Sequence, residues 1–207
     1  MRDIKLALLV LFHPINAFEE IKRRRSDFNY LPVFILMALI LSARLIEIYA
    51  VHFPLATIDP REANLIGEAA KMLLPLLIWV ISCYAVTAIL KGETFIHEIL
   101  LAACFSMLPY IIFSPILSFI THVMVDNEVV FFRGIQTVMW IWIVLLFAMS
   151  VRIMNEYTMS QTISVILISL AGMFLIGVLF IVFYTLTIQV VQFIDSIANE
   201  IKMMQMS

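Results

Sequence analysis

The sequence specifies an all-α, polytopic integral membrane protein. It should have five transmembrane helices, an N-terminal amphipathic interfacial helix and a long projecting fifth helix. Three observations lead there. Hydrophobic residues make up 63% of the chain and charged residues 14%, whereas a soluble domain is about half apolar and a quarter charged. Five uncharged runs, 28–43, 72–90, 99–125, 134–151 and 157–194, hold most of that apolar excess, and about 20 apolar helical residues cross a bilayer. Six of the thirteen basic residues precede the first run: Arg2, Lys5, Lys22, Arg23, Arg24 and Arg25. The mean hydropathy of +1.05 leaves more apolar surface than a soluble fold of this size can hide, so lipid must cover part of it.

Residues 1–29 read as a cytoplasmic amphipathic and basic segment. The apolar stretch 6–12 is short and runs into His13-Pro14 and charges rather than a small-residue cleavage site, unlike a signal peptide. Pro14 suits a first helical position. From there Phe18 and Ile21, with Ile15, share one side, while Glu19, Glu20, Lys22, Arg23, Arg24 and Arg25 surround them. That pattern fits a helix anchored at the inner membrane surface; a plain positive-inside stop signal is the other reading.

The transmembrane domain is placed at 30–190, with spans at 30–50, 69–90, 99–121, 130–151 and 162–190. Lys91 and Arg152 join the six N-terminal basic residues on one side; Arg61, Lys71, Arg133 and Lys202 fall on the other. The positive-inside rule then puts the N-terminus in the cytoplasm of a multi-pass cell-membrane protein. Five spans put the C-terminus outside. The last uncharged run lacks Pro or a turn pair, and as one helix it reaches roughly 57 Å, longer than the bilayer core. Residues 191–207 continue it. Val190, Phe193, Ile194, Ile197 and Ile201, with Met204, share one face at helical spacing, and Asp195, Asn199 and Lys202 take the other. Such a stripe either docks a partner or rests on the outer leaflet.

Two groups inside the spans carry polarity. In the third span Ser106, Tyr110, Ser114, Ser118 and Thr121 recur at steps of four, four, four and three, covering about a third of the helix circumference. Pro109 and Pro115 remove backbone donors on the same helix, predicting a bend. This face should point into the bundle, either lining a solute path or gluing helices. In the first span Arg44 and Glu47 stand at i, i+3, the spacing of an ion pair. An ionisable residue within a span is a functional candidate by default, and a pair placed to reach the outer surface is the structural reading.

Cys83 and Cys104 lie within apolar runs and read as packing residues, and His13, His52, His97 and His122 never cluster at metal spacing. No cofactor is implied. The net charge of −2 argues against nucleic acid, which wants a basic face. There is no HExxH, GxSxG or phosphate loop, and no paired carboxylates within a span. Enzymatic activity is therefore not expected.

Phe12-His13-Pro14, Ala17-Phe18-Glu19-Glu20-Ile21-Lys22 and Arg24 open a pattern that extends along nearly the whole chain. Trp79 with Ser82, Lys91-Gly92 with Phe95 and Glu98-Ile99, and Pro109-Tyr110 continue it. In that order the residues resemble the Yip1 family of five-span membrane proteins, in the form found in Gram-positive bacteria. Cys83 stands where an Asn is common in such proteins. The resemblance implies a non-enzymatic scaffold or accessory subunit. Its partners would be membrane lipids and other integral membrane proteins, with carbohydrate ABC transporter subunits or a polysaccharide-handling system the implied choice. A small channel or carrier using the third span's polar face is the alternative.

Overall fold

The computed structural model describes residues 2–23, 30–51, 63–90, 92–124 and 128–206, with side chains of these except 2–5, 8 and 197–206. Among them every regular element is helical, and five helical segments are long and apolar enough to cross a membrane. The all-α, five-span architecture is therefore as expected.

Two short helices come first, α1 (Arg2–Phe12) and α2 (Pro14–Arg23). Pro14 opens α2, where its missing N–H costs no helical bond. The apolar side of α2, expected at the inner membrane surface, is covered by protein. Leu6 and Val10 of α1 and Ala17, Phe18 and Ile21 of α2 are buried in the main hydrophobic core, and α2 packs against the fourth span. Phe18 is 0% exposed. The reason is physical: a helical apolar stripe is indifferent to whether lipid or protein covers it, and here protein does.

The first span is α3 (Leu31–Ala50), with Pro near its start. The second, α4 (Leu65–Ile89), begins four residues before the expected 69, because Asn64 caps it. The Asn64 side-chain oxygen accepts from the Ile66 and Gly67 N–H groups at 3.1 and 3.2 Å, satisfying two of the unbonded donors at a helix start.

The third span runs Ile96–Ile120 in two pieces, α5 (Ile96–Ser106) and α6 (Leu108–Ile120). The break falls at Met107, just ahead of Pro109, whose ring excludes the preceding turn; Pro115 stays inside α6. At the start of α5 the Glu98 carboxylate accepts from the Phe95 N–H at 2.8 Å.

The fourth span, α7 (Val129–Asn155), ends at Glu156, which has φ 55°. No other described non-glycine residue has a positive φ, and a left-handed residue ends a helix by turning the chain away. The Tyr157 N–H returns to the Arg152 carbonyl at 3.0 Å. Then α8 (Met159–Met206) runs 48 residues unbroken, roughly 72 Å.

The core lies between α3, α4, α5, α6 and α7, with α1 and α2 closing one end. Helix α8 lies at its edge, packed mainly on α4. Gly172 permits that approach. A Cβ there would come 2.4 Å from Ser82 Oγ, which donates to the Ser169 carbonyl at 2.7 Å. Small residues and hydroxyls do this work in membranes, where lipid removes the hydrophobic drive between helices.

Candidate functional site: a charged junction between three spans

Arg44 and Glu47 form an ion pair on α3, Nη1 to Oε2 at 3.1 Å. They are not alone. The Arg44 Nε and Nη2 both donate to Glu68 Oε2 of α4, at 3.2 and 2.7 Å. Lys71, one turn further along α4, reaches Glu68 Oε1 at 2.5 Å. From the other side Tyr110 Oη donates to Glu47 Oε2 at 2.6 Å, and Ser114 Oγ donates to the same oxygen at 3.3 Å. Two features that the sequence kept apart, the first-span pair and the third-span hydroxyl face, thus meet at Glu47.

The junction is graded in exposure. Tyr110 is 2% exposed, and the Glu68 side chain 5%. Those of Arg44 and Glu47 are 23% and 20%, and that of Lys71 71%. Two cations balance two carboxylates, so the cluster is neutral as a whole. Neutrality and full hydrogen bonding are what a membrane interior demands of charge. The Trp140 ring lies 5.8 Å from that of Tyr110 and helps hold the phenol beside Glu47.

The remaining members of the hydroxyl face behave differently. Ser106, Ser118 and Thr121 are buried, but each bonds a carbonyl of its own helix: Ser106 that of Ala102 at 2.8 Å, Ser118 that of Ser114 at 2.8 Å, Thr121 that of Ser118 at 2.6 Å. Hydroxyls turned back on their own helix supply compact packing, not a row of free donors. Tyr110 and Ser114 reach across to another span, at Glu47.

A second polar node ties the loops at the opposite end of the bundle. Lys22 of α2 bridges Glu156 at 2.6 Å and Glu93 at 3.4 Å. The Lys22 ammonium, by hydrogen bond and then by charge, holds the Glu156 carboxyl below the usual carboxylate range. Thr94 Oγ1 donates to Asn155 Oδ1 at 2.7 Å. Gly92 fits beneath them: a Cβ there would lie 2.5 Å from Asn155 Oδ1, 2.7 Å from Tyr157 Oη and 3.0 Å from Thr87 Cβ. Burial pushes the Tyr157 phenol up.

Of the other expected surface residues, Arg23 is exposed and pairs with Glu20; Arg24 and Arg25 lie outside the described residues. Val190, Phe193 and Ile194 are exposed. Ile197 and Ile201 belong to α8, and their side chains lie outside the description. Sequence reasoning missed Glu68, Lys71, Glu93, Asn155 and Glu156. The one signal available was the Asn64 cap, which draws Glu68 into the first turn of a span. Among the described residues no three His, Cys, Asp or Glu side chains gather as metal ligands, and Cys83 and Cys104 are buried free thiols.

Five apolar helices, interhelical ion pairs at one end and loop clamps at the other define a multi-pass α-helical membrane protein. A family model, the Yip1 domain, matches residues 8–181, and the chain belongs to the Yip1 family. Neither curated proteins nor solved structures yield a match. The matched region ends within α8, so residues 182–206 of that helix continue beyond it.

Proposed function

We propose that this protein is a non-enzymatic scaffold or accessory subunit that holds other membrane proteins through its fifth span. The observation that carries this reading is the state of α8: throughout 178–196 every residue is exposed. Helices α4 and α8 run antiparallel. Ser82 meets Ser169, and Leu74, Pro75 and Ile78 share a groove with Gly177, Val178 and Ile181. Equal rise per residue brings Leu65, the start of α4, level with roughly residue 188 of α8. Val190, Phe193 and Ile194 therefore lie past the start of α4 and are still apolar. Phe193 is 66% exposed. An apolar helical face beyond the bundle favours a partner that covers it.

The partner class we favour is a carbohydrate ABC importer or a polysaccharide-handling system, on the strength of the family resemblance. The basic residues of the N-terminal segment favour a cytoplasmic N-terminus, which places the α8 extension outside. The carrier reading is disfavoured because three of the five third-span hydroxyls bond their own helix.

The double substitution Phe193→Asp with Ile197→Asp tests the proposal. Expression and membrane insertion should persist, because both sites follow the bundle. Co-purification of partner proteins from mild detergent should be lost. Unchanged recovery refutes docking through α8, and solute flux by the purified protein in liposomes would favour the carrier.

A further inference from the structure

Where α2 crosses the last turns of α7, the two helices enclose a cleft of about 480 Å³. Its apolar lining comes from Ile15 of α2 and from Met149 and Ile153 of α7. Four charged side chains border it: Glu19, Lys22, Arg152 and Glu156. Their states differ. Lys22 and Glu156 are joined to each other, and Lys22 also to Glu93. Glu19 and Arg152, both exposed, have no ion-pair partner among the described residues. Tyr157 completes the lining.

We propose that this cleft binds the headgroup of a zwitterionic aminophospholipid of the phosphatidylethanolamine type. The free guanidinium of Arg152 matches a phosphodiester, and guanidinium is the side chain best shaped for phosphate. The free carboxylate of Glu19 matches a primary ammonium, which brings three N–H donors. Ile15, Met149 and Ile153 take the first methylenes of the acyl chains. The cleft lies at the end of a span, where headgroups meet hydrocarbon. The two cations and two anions of the lining cancel, and Glu93, joined to Lys22 from outside the lining, adds no positive charge. That selects a zwitterion over an anionic lipid. A choline headgroup has no N–H to give a carboxylate and prefers aromatic faces. The assignment does not depend on which partner α8 holds.

Native mass spectrometry of the purified full chain tests this, with palmitoyl-oleoyl phosphatidylethanolamine, phosphatidylcholine and phosphatidylglycerol offered at equal concentration. The wild type should retain phosphatidylethanolamine roughly tenfold more tightly than either of the others, the worth of one charge-assisted contact. Glu19→Gln should bring it down to the phosphatidylcholine level, and Glu19→Asp should keep the preference. Arg152→Gln should weaken phosphatidylethanolamine and phosphatidylglycerol alike, roughly tenfold. Should Glu19→Gln not purify, Glu19→Lys serves: it makes the site net positive and should shift the preference to phosphatidylglycerol. Equal retention of the three lipids by the wild type, or a preference untouched by the Glu19 substitutions, overturns the proposal. Competition by free phosphoethanolamine at millimolar concentration would assign the cleft to a soluble phosphate compound and overturn the lipid assignment.

Discussion

Replacing Tyr110 with Phe isolates a single contact in the charged junction. The ring stays beside Trp140, at a centroid distance of 5.8 Å, so packing is kept. What goes is the 2.6 Å hydrogen bond to Glu47 Oε2. A hydrogen bond to a charged acceptor is worth about 1.5–3 kcal/mol. Glu47 keeps Arg44 at 3.1 Å and Ser114 at 3.3 Å, so its charge is not abandoned and the loss should not exceed that range. For a chain of this length the expected fall in melting temperature is roughly 3–12 °C. The assay is thermal unfolding in mild detergent followed by tryptophan fluorescence, since Trp140 reports on the junction itself. A double-mutant cycle with Glu47→Gln should recover a coupling between the two sites. Melting within about 1 °C of the wild type, or a cycle with no coupling, would show that the hydroxyl is not bound to a charged carboxylate.

Four further outcomes are expected. Gly92→Ala should cost about 1–3 kcal/mol through overpacking, since its methyl would meet Asn155 Oδ1, Tyr157 Oη and Thr87 Cβ; a melting curve equal to the wild type's would contradict this. Gly172→Leu should separate α8 from α4, because Ser82 Oγ occupies the space; cysteine crosslinks across the α4–α8 seam should fail in the variant, and persistence of those crosslinks would count against the packing described. The Lys22–Glu156 clamp depends on acid in a defined direction. Its carboxyl is depressed in the folded state, so the stabilisation is present above the ordinary carboxylate value of about 4.3 and is lost as pH falls through the lowered folded value; hydrogen exchange of α2 should quicken there in the wild type but not gain that acid dependence in Lys22→Met. Finally, with Ser26→Cys and Ser207→Cys in intact cells, impermeant reagent should label only position 207, over a low background because Cys83 and Cys104 are buried.

The five spans were legible because each apolar run outlasts what a soluble helix core requires, and the i, i+3 spacing of Arg44 and Glu47 marked an ion pair. The hydroxyl period marked Tyr110 and Ser114 as one face. The meeting of these features was not legible. Which spans touch is a three-dimensional fact, and α3 packs on α6 across the chain. Glu68 is hidden for a simpler reason: it precedes the uncharged run at 72, and charge marks the edge of a span. The break at Met107 lies two residues ahead of the nearer proline, where the sequence predicted bends at Pro109 and Pro115. The burial of Phe18 and Ile21 was invisible because amphipathicity encodes a covered face without naming the cover.

Arg44 also bears on the order in which the protein is made. A guanidinium in a lone transmembrane helix costs up to about 2.5–3.5 kcal/mol at the centre on insertion scales, and less toward an end, where Arg44 lies. Ribosomal synthesis delivers its companions in turn. Glu47 leaves the ribosome three residues later on the same helix. Glu68 follows 24 residues after Arg44, in the first turn of the next span, and brings Lys71 with it. At that stage the charges already cancel within a two-helix hairpin. Tyr110 and Ser114 arrive 63 and 67 residues after Glu47 and complete its hydrogen bonds. Each translocation step thus presents the bilayer with charge that is balanced or about to be, and the hairpin of the first two spans is electrically closed before the third has left the ribosome.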